Sequence, residues 1–372
     1  MIPLTIPEIN FKEIEKDLKK VLKSGILTKG PEVKQFEKMV AEYVGTKYAF
    51  ATTSATTALH LSLAALGIGP ADEVLVADFT FPATANVVVQ QGAKPVLVDI
   101  NLDNYNIDIK DLERKITKKT KAIIPVDTFG CPVDMISIMR IAKKYNLAVI
   151  EDAACALGAE YKGKKSGSLG DTGCFSFHPR KSITTGEGGI VVTNNSKLAK
   201  KISILRDHGG VFSKEQGFYR FEMAGFNYRM SEIQALLGIH QMKNIDKMIN
   251  KKRKLAKIYS KKLSMIKEIK TPRDISYGKH TFQSYVVLLD KKINRNQVIK
   301  KMRKKGIETT LGTYALHAQP FFIKQFGYKP GQLKNSFEAF NRTLTLPFFL
   351  SITQKQINHI IKTLKNIVKN LN

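Results

Sequence analysis

Between Tyr48 and Val192, short β-branched or aromatic runs alternate with helical stretches, and few folds accept that rhythm. The runs are Tyr48 to Ala51, Glu73 to Val76, Pro95 to Asp99, Ala122 to Val126 and Ala148 to Glu151. Helices are expected at Thr56 to Leu66, Pro82 to Gln91 and Asp134 to Tyr145. The runs Ala122-Ile123-Ile124-Pro125-Val126 and Leu147-Ala148-Val149-Ile150-Glu151 are apolar almost throughout rather than alternating, the mark of strands buried on both faces. The reading is an α/β fold: a three-layer, mostly parallel sheet in a large domain spanning 1–240. A smaller α+β domain is expected over 241–372, after a long helical passage from Ser231 to about Leu263, with a strand at Ser284 to Asp290 and helices at Asn296 to Lys305 and Thr353 to Asn370. At 372 residues the chain is about two and a half times a rough 150-residue unit, which suits two domains. The stretch Asp207 to Tyr228, rich in Gly and aromatics and without clear periodicity, is expected to be a loop that folds over something or onto a partner chain.

Charge narrows the function classes. Lys and Arg number 60 against 32 Asp and Glu, and the excess is concentrated: 1–240 carries +5 and 241–372 carries +23. With 49 Lys and 11 Arg it lacks the Arg forks that read bases and phosphates, so a solvated lysine coat is favoured over a specific nucleic-acid surface. The three cysteines, Cys131, Cys155 and Cys174, form no C-x-x-C pair, and no His cluster has ligand spacing, so neither disulfides nor a metal site is expected. The opening residues carry Glu8 and no long apolar run, and no stretch of about 18 apolar residues occurs. A cytoplasmic protein with no membrane partner is expected.

In open α/β sheets, ligands sit beyond the carboxyl ends of strands, so polar residues there come first. Four places qualify. Thr52 to Thr57 is a run of small and hydroxyl residues at a helix start; it reads as a phosphate cradle or an ordinary N-cap. Asp152 ends a buried strand, where a carboxylate either caps a turn or needs a cationic partner. Lys181 follows Gly173-Cys174-Phe175-Ser176-Phe177-His178-Pro179-Arg180 and precedes a Gly- and Thr-rich run. Most lysines are surface charges, but one in apolar, hydroxylic surroundings is a candidate nucleophile toward a carbonyl. Phe81, in Phe79-Thr80-Phe81-Pro82-Ala83-Thr84, is a core ring or a stacking ring.

A cradle, a stacking ring, a strand-end Asp and a lysine are the contacts pyridoxal phosphate demands, and here the chain resembles the DegT/DnrJ/EryC1/StrS family of sugar aminotransferases, of fold type I. The resemblance runs nearly end to end. It includes Gly25 to Pro31, Gly92 to Asp99, Ile150 to Ala154, Ser168 to Asp171, the Lys181 segment, Gly225 to Met230, His317 with Gln319-Pro320, and Leu346-Pro347. It implies that Lys181 condenses with the cofactor and moves a proton, and that Asp152 pairs with the ring nitrogen. It also implies that Phe81 stacks on the ring, and that Ser54, Ala55, Thr56 and Ser176 hold the phosphate. Asn227 would reach the phosphate of a neighbouring subunit in a homodimer with shared sites, and Arg229, Tyr314 and His317 would touch sugar or carboxylate.

Two departures stand out. Ala55 replaces the usual Gly of the cradle, which is compatible only with negative φ, and Cys155 stands where the family commonly has Gln or His as a further cofactor contact. The implied reaction is transfer of an amino group from glutamate, through pyridoxamine phosphate, to a nucleotide-linked keto-deoxysugar. The run Thr184-Thr185-Gly186-Glu187-Gly188-Gly189 resembles relatives that aminate C4. Alternatives are a dehydratase, which Lys181 disfavours, an enzyme acting on an aminocyclitol, and a non-catalytic relative that binds anions or nucleic acid.

Overall fold

A computed structural model describes residues 1–273 and 275–371. Seven strands form the central sheet in the order Tyr48–Thr52, Gly189–Thr193, Thr172–Ser176, Ala148–Asp152, Thr120–Ile124, Glu73–Ala77 and Lys94–Val98. Neighbours from Thr172–Ser176 to Lys94–Val98 are parallel, and Gly189–Thr193 alone runs against both of its neighbours. The fold is the expected mainly parallel α/β type.

Each apolar strand serves two cores. Val74 and Val76 pack on one face with Leu59 and Leu63 of the helix Ala55–Leu66, while Leu75 and Ala77 pack on the other with Ile138 and Ile141 of Met135–Tyr145. Since side chains alternate along a strand, this explains why the run is apolar at every position after Glu73. Burial of a Leu, Ile or Val contributes roughly 1.5–3 kcal/mol, so helices on both faces are held in register by many such terms.

A second, antiparallel sheet orders Ile269–Lys270, Tyr285–Leu289, Thr343–Leu346 and Thr310–Leu311. Its core takes Val287, Leu289, Val298, Met302, Ile360 and Leu364. The first residues of the chain join this sheet's side of the molecule: Ile2 bridges Ile307, and the Leu4 carbonyl accepts the Phe348 N–H at 2.9 Å.

Two expectations change. The passage from Ser231 is two helices, Glu232–Met242 and Ile245–Leu263, because Asn244 leaves helical geometry at φ −116°, ψ 8°. The second of them ties the cores together, with Ile245 and Ile249 in the large-sheet core and Leu255, Tyr259 and Leu263 in the other. The stretch expected as a loop contains a hairpin, Gly210–Ser213 against Phe218–Phe221. Phe212, Phe218, Tyr219 and Phe221 are all exposed, so neither face has a core to impose polar alternation, and the periodicity that announces strands is missing. Among the described residues no helix is long and apolar enough to cross a membrane.

Candidate active site

The cradle lies where the strand Tyr48–Thr52 hands over to the helix Ala55–Leu66. Ser54 is the N-cap: its hydroxyl accepts the Thr57 N–H at 3.1 Å, while Thr57 Oγ1 accepts the Ser54 N–H at 3.0 Å. This reciprocal box leaves the N–H groups of Ala55 and Thr56 as open donors of the first turn, at the positive end of the helix dipole. Ala55 sits inside the helix with ordinary negative φ, so the missing glycine costs the backbone nothing. The glycine that matters is Gly189 on the neighbouring strand, where a Cβ would come 2.2 Å from the Ser54 carbonyl carbon. Ser176 ends the next strand, its hydroxyl accepting the His178 N–H at 3.4 Å.

Asp152 ends the middle strand and is 5% exposed. Its Oδ2 accepts the Thr84 hydroxyl at 2.7 Å and its Oδ1 accepts the Ala154 N–H at 3.2 Å. Burial pushes this carboxyl above its ordinary range, opposed by those two hydrogen bonds and by the Lys181 charge. A cation against it would favour the carboxylate. Thr84, which holds Asp152 from the helix Ala83–Gln90, has no role in the sequence reading. Its place three residues after Phe81 was the available signal.

Two further acids lie behind Asp152. Glu151 accepts the N–H groups of Gly167, Leu169 and Gly170 at 2.9, 2.6 and 2.6 Å. Asp127, also buried, is pushed up to about 8, by burial first and by the Glu151 charge second. A carboxyl whose pKa is higher folded than unfolded adds stability that is complete below its ordinary value near 4 and lost as pH rises through about 8. Asp127→Asn keeps an acceptor for the Val133 N–H, which Asp127 Oδ1 takes at 2.8 Å. Melting curves from pH 5 to pH 9 should therefore show the wild type losing at least about 2 °C relative to the variant. Parallel curves would remove Asp127 from the acid-titrating set.

Lys181 is half-buried in the connection between Thr172–Ser176 and Gly189–Thr193, its N–H bonded to the His178 carbonyl at 2.8 Å. Nζ donates to Cys155 Sγ at 3.1 Å. The thiol that departs from the usual Gln or His thus lies against the Lys181 amine. Phe81 is 65% exposed, its ring edge-on to Tyr314 at 6.5 Å, available as a wall rather than a core residue.

The remaining candidates divide. Asn227 is exposed, bridged through its backbone to Asp207. Arg229 pairs with Asp207, which also takes Lys29, and its backbone bridges Thr52 next to the cradle. Tyr314 is half-buried on a two-residue strand paired with Phe79–Thr80, beside Phe81. His317 is 0% exposed: Nδ1 lies 2.6 Å from Asp78 Oδ2, and Nε2 accepts the Gly331 N–H at 3.2 Å. Both ring nitrogens are engaged inside the protein, so the structure does not bring this ring to the site as a direct substrate contact. Its partner Asp78 is distant in sequence and gave no signal.

The sequence profile of the DegT/DnrJ/EryC1/StrS aminotransferase family matches residues 8–365. The GDP-perosamine synthase of Caulobacter vibrioides is 39% identical over 370 residues, covering 99% of this chain and 98% of that protein. The UDP-4-amino-4,6-dideoxy-N-acetyl-beta-L-altrosamine transaminase of Campylobacter jejuni is 37% identical, covering 99% and 98%. Among solved structures, Spr1654 of Streptococcus pneumoniae in its PMP-form has a TM-score of 0.95 at 27% identity over 100% of both chains, and its PLP-form a TM-score of 0.93. The family and these PMP- and PLP-forms imply the use of pyridoxal phosphate. With a profile that spans nearly the whole chain and relatives that match it from end to end, the chain belongs to the DegT/DnrJ/EryC1/StrS aminotransferase family.

Proposed function

We propose that this aminotransferase moves an amino group from glutamate to the C4 ketone of a nucleotide-linked keto-deoxysugar, in two half-reactions at one site. The observation that carries the proposal is that the open helix N-terminus at Ala55 and Thr56, the buried Asp152 and the Lys181 amine all follow the carboxyl ends of strands at one rim of the sheet. The relatives support the substrate class, since one is named as a synthase of GDP-perosamine and the other as a transaminase of a UDP-linked amino sugar whose name specifies a 4-amino group.

The residues fit pyridoxal phosphate: among the described residues no cation pairs with the buried Asp152, and the cradle offers N–H donors at a helix start. When bound, that cofactor supplies an aldehyde and a cationic ring that accept an amino group from one substrate and release it to another, with pyridoxamine phosphate between. Ala55, Thr56, Ser54 and Ser176 would hold its phosphate, and Phe81 would cover a ring face. Asp152 would carry the countercharge of the ring, oriented by Thr84 and Ala154. Lys181 would hold and return the proton at the reacting carbon, and Cys155 would keep Nζ aimed toward the site between turns. Arg229 and Tyr314 stand near enough to the cradle and Phe81 to be substrate contacts. Exposed Asn227 and the aromatic hairpin are the surface through which a second subunit would share the site, giving a homodimer. Free thiols at Cys131, Cys155 and Cys174 support a reducing, cytoplasmic setting.

The test is a panel of nucleotide-linked keto-sugars offered to protein loaded with pyridoxamine phosphate after glutamate treatment. Consumption of the pyridoxamine band by 4-keto sugars is expected. A band that glutamate creates and no keto-sugar removes overturns the substrate assignment.

A further inference from the structure

Cys155 is a departure from the family pattern whose own chemistry amino transfer leaves unused. A thiol is a weak hydrogen-bond acceptor, so as a holder of Lys181 Nζ it gains little over the Gln or His that commonly stands there. What sulfur adds is a reversible oxidation that neither of those side chains can undergo. Its partner is already in place, since Nζ lies 3.1 Å from Sγ. The pair sets a nucleophilic amine against an oxidisable sulfur.

The three thiols are not equivalent. Cys131 and Cys174 are 3% and 0% exposed, and burial pushes both upward, Cys131 to about 12. Such thiols are inert toward oxidants. Cys155 is half-buried in the turn that follows Asp152, and its backbone is held, the Cys155 carbonyl accepting the Thr281 hydroxyl at 3.3 Å. Lys181 is half-buried as well, on a backbone tied to the His178 carbonyl. A small oxidant can reach this sulfur, and the flexible lysine stem can close the remaining gap by torsion alone. A rival amine lies nearby in Lys252, on the helix Ile245–Leu263, 6% exposed within the run Lys251-Lys252-Arg253-Lys254. Its Nζ is turned to the Gln283 carbonyl at 3.5 Å, whereas the Lys181 amine is hydrogen-bonded to Sγ.

We propose that Cys155 and Lys181 form an oxidative modification site, at which a peroxide joins Sγ to Nζ and a thiol parts them again. In the first step the O–O bond of hydrogen peroxide breaks. The sulfur gains a hydroxyl and is oxidised to the sulfenic acid, while the peroxide is reduced and releases one water. In the second, the Nζ lone pair attacks Sγ, the S–O bond breaks, and hydroxide leaves with an Nζ proton as a second water. The product is a sulfenamide, with one bond between Sγ and Nζ. Neighbours already in contact favour this closure over further oxidation, which needs a second peroxide from solution. Two thiol molecules reverse it: the first displaces the amine from sulfur, and the second frees Cys155 and leaves as a disulfide with the first. While the bond lasts, Lys181 has no amine free to meet a carbonyl, so amino transfer becomes sensitive to oxidant. That consequence rests on Lys181 being the reactive amine; the bond itself does not.

Full-length protein freed of pyridoxal phosphate is treated with hydrogen peroxide, digested without reductant and read by mass spectrometry. The expected product is the peptide of Cys155 joined to the peptide of Lys181, about 2 Da lighter than the two together and lost on adding dithiothreitol. Cys155→Ser should give no joined pair. In Lys181→Met the sulfenic acid should persist and be trapped at Cys155 by dimedone. Cys155 left as a thiol, carried on to sulfinic acid without a joined pair, or joined to Lys252 or to another cysteine overturns the proposal. Pyridoxal phosphate supplied before the peroxide is expected to suppress the joined pair by engaging the amine. An undiminished yield in that arm overturns the assignment of Lys181 to the cofactor rather than the bond to Cys155, so the two fail separately.

Discussion

Lys181→Ala abolishes amino transfer, with turnover expected to fall at least about 10⁴-fold, since the residue is asked to act both as nucleophile and as proton carrier. The fold should not notice. Lys181 is half-buried, and among the described residues its side chain bonds only Cys155, so the variant should melt within about 1 °C of the wild type. Borohydride reduction of wild-type protein supplied with pyridoxal phosphate should fix the label on the peptide containing Lys181. Undiminished transfer in the variant, or a label elsewhere, would end the assignment of this amine.

Asp152→Asn is the second large effect, and it separates charge from shape. Asparagine can keep the Ala154 N–H and Thr84 hydroxyl as neighbours while deleting the negative charge. At an effective dielectric near 20, a pair of unit charges about 4 Å apart is worth roughly 4 kcal/mol, or about three pKa units on a ring nitrogen. Turnover should therefore fall about 10³-fold while the cofactor stays bound. Near-normal turnover would remove Asp152 from its role.

The same variant carries a stability signature with a defined sign. In the protein without cofactor, burial raises the Asp152 carboxyl, so its contribution is complete below the ordinary aspartate value and lost as pH rises through the folded one. A neutral amide in its place has no such loss. Without cofactor the variant should be at least as stable as the wild type at pH 8, and the gain in melting temperature on adding pyridoxal phosphate should be larger in the wild type.

The sheet was legible because strands such as Glu73–Ala77 are buried on both faces and so are apolar at nearly every position. Asp152 was legible for a related reason: one acid at the end of such a strand has little to do except meet a ligand or a turn. What failed to show were features that depend on contacts distant in sequence. His317 looks like a free imidazole until Asp78 and Gly331 occupy both its nitrogens. The aromatic hairpin carries no period because Phe212, Phe218, Tyr219 and Phe221 are all exposed, with no core behind either face to impose alternation. The break at Asn244 falls in a stretch whose composition is helical throughout. Lys252 is an intermediate case. Inside a basic run it reads as surface charge, yet its spacing from Ile249 and Ala256 places it on the apolar stripe, a signal that was present and easily overlooked.

The reversed strand Gly189–Thr193 has a mechanical consequence. Because it turns back beside Thr172–Ser176, the segment bearing Lys181 both departs from and re-enters the sheet at the same rim. Its two anchorages are adjacent, so slack can be added or removed between them without shifting any strand against another. The amine rides on a short tether that substitution and selection can retune while the scaffold beneath stays put.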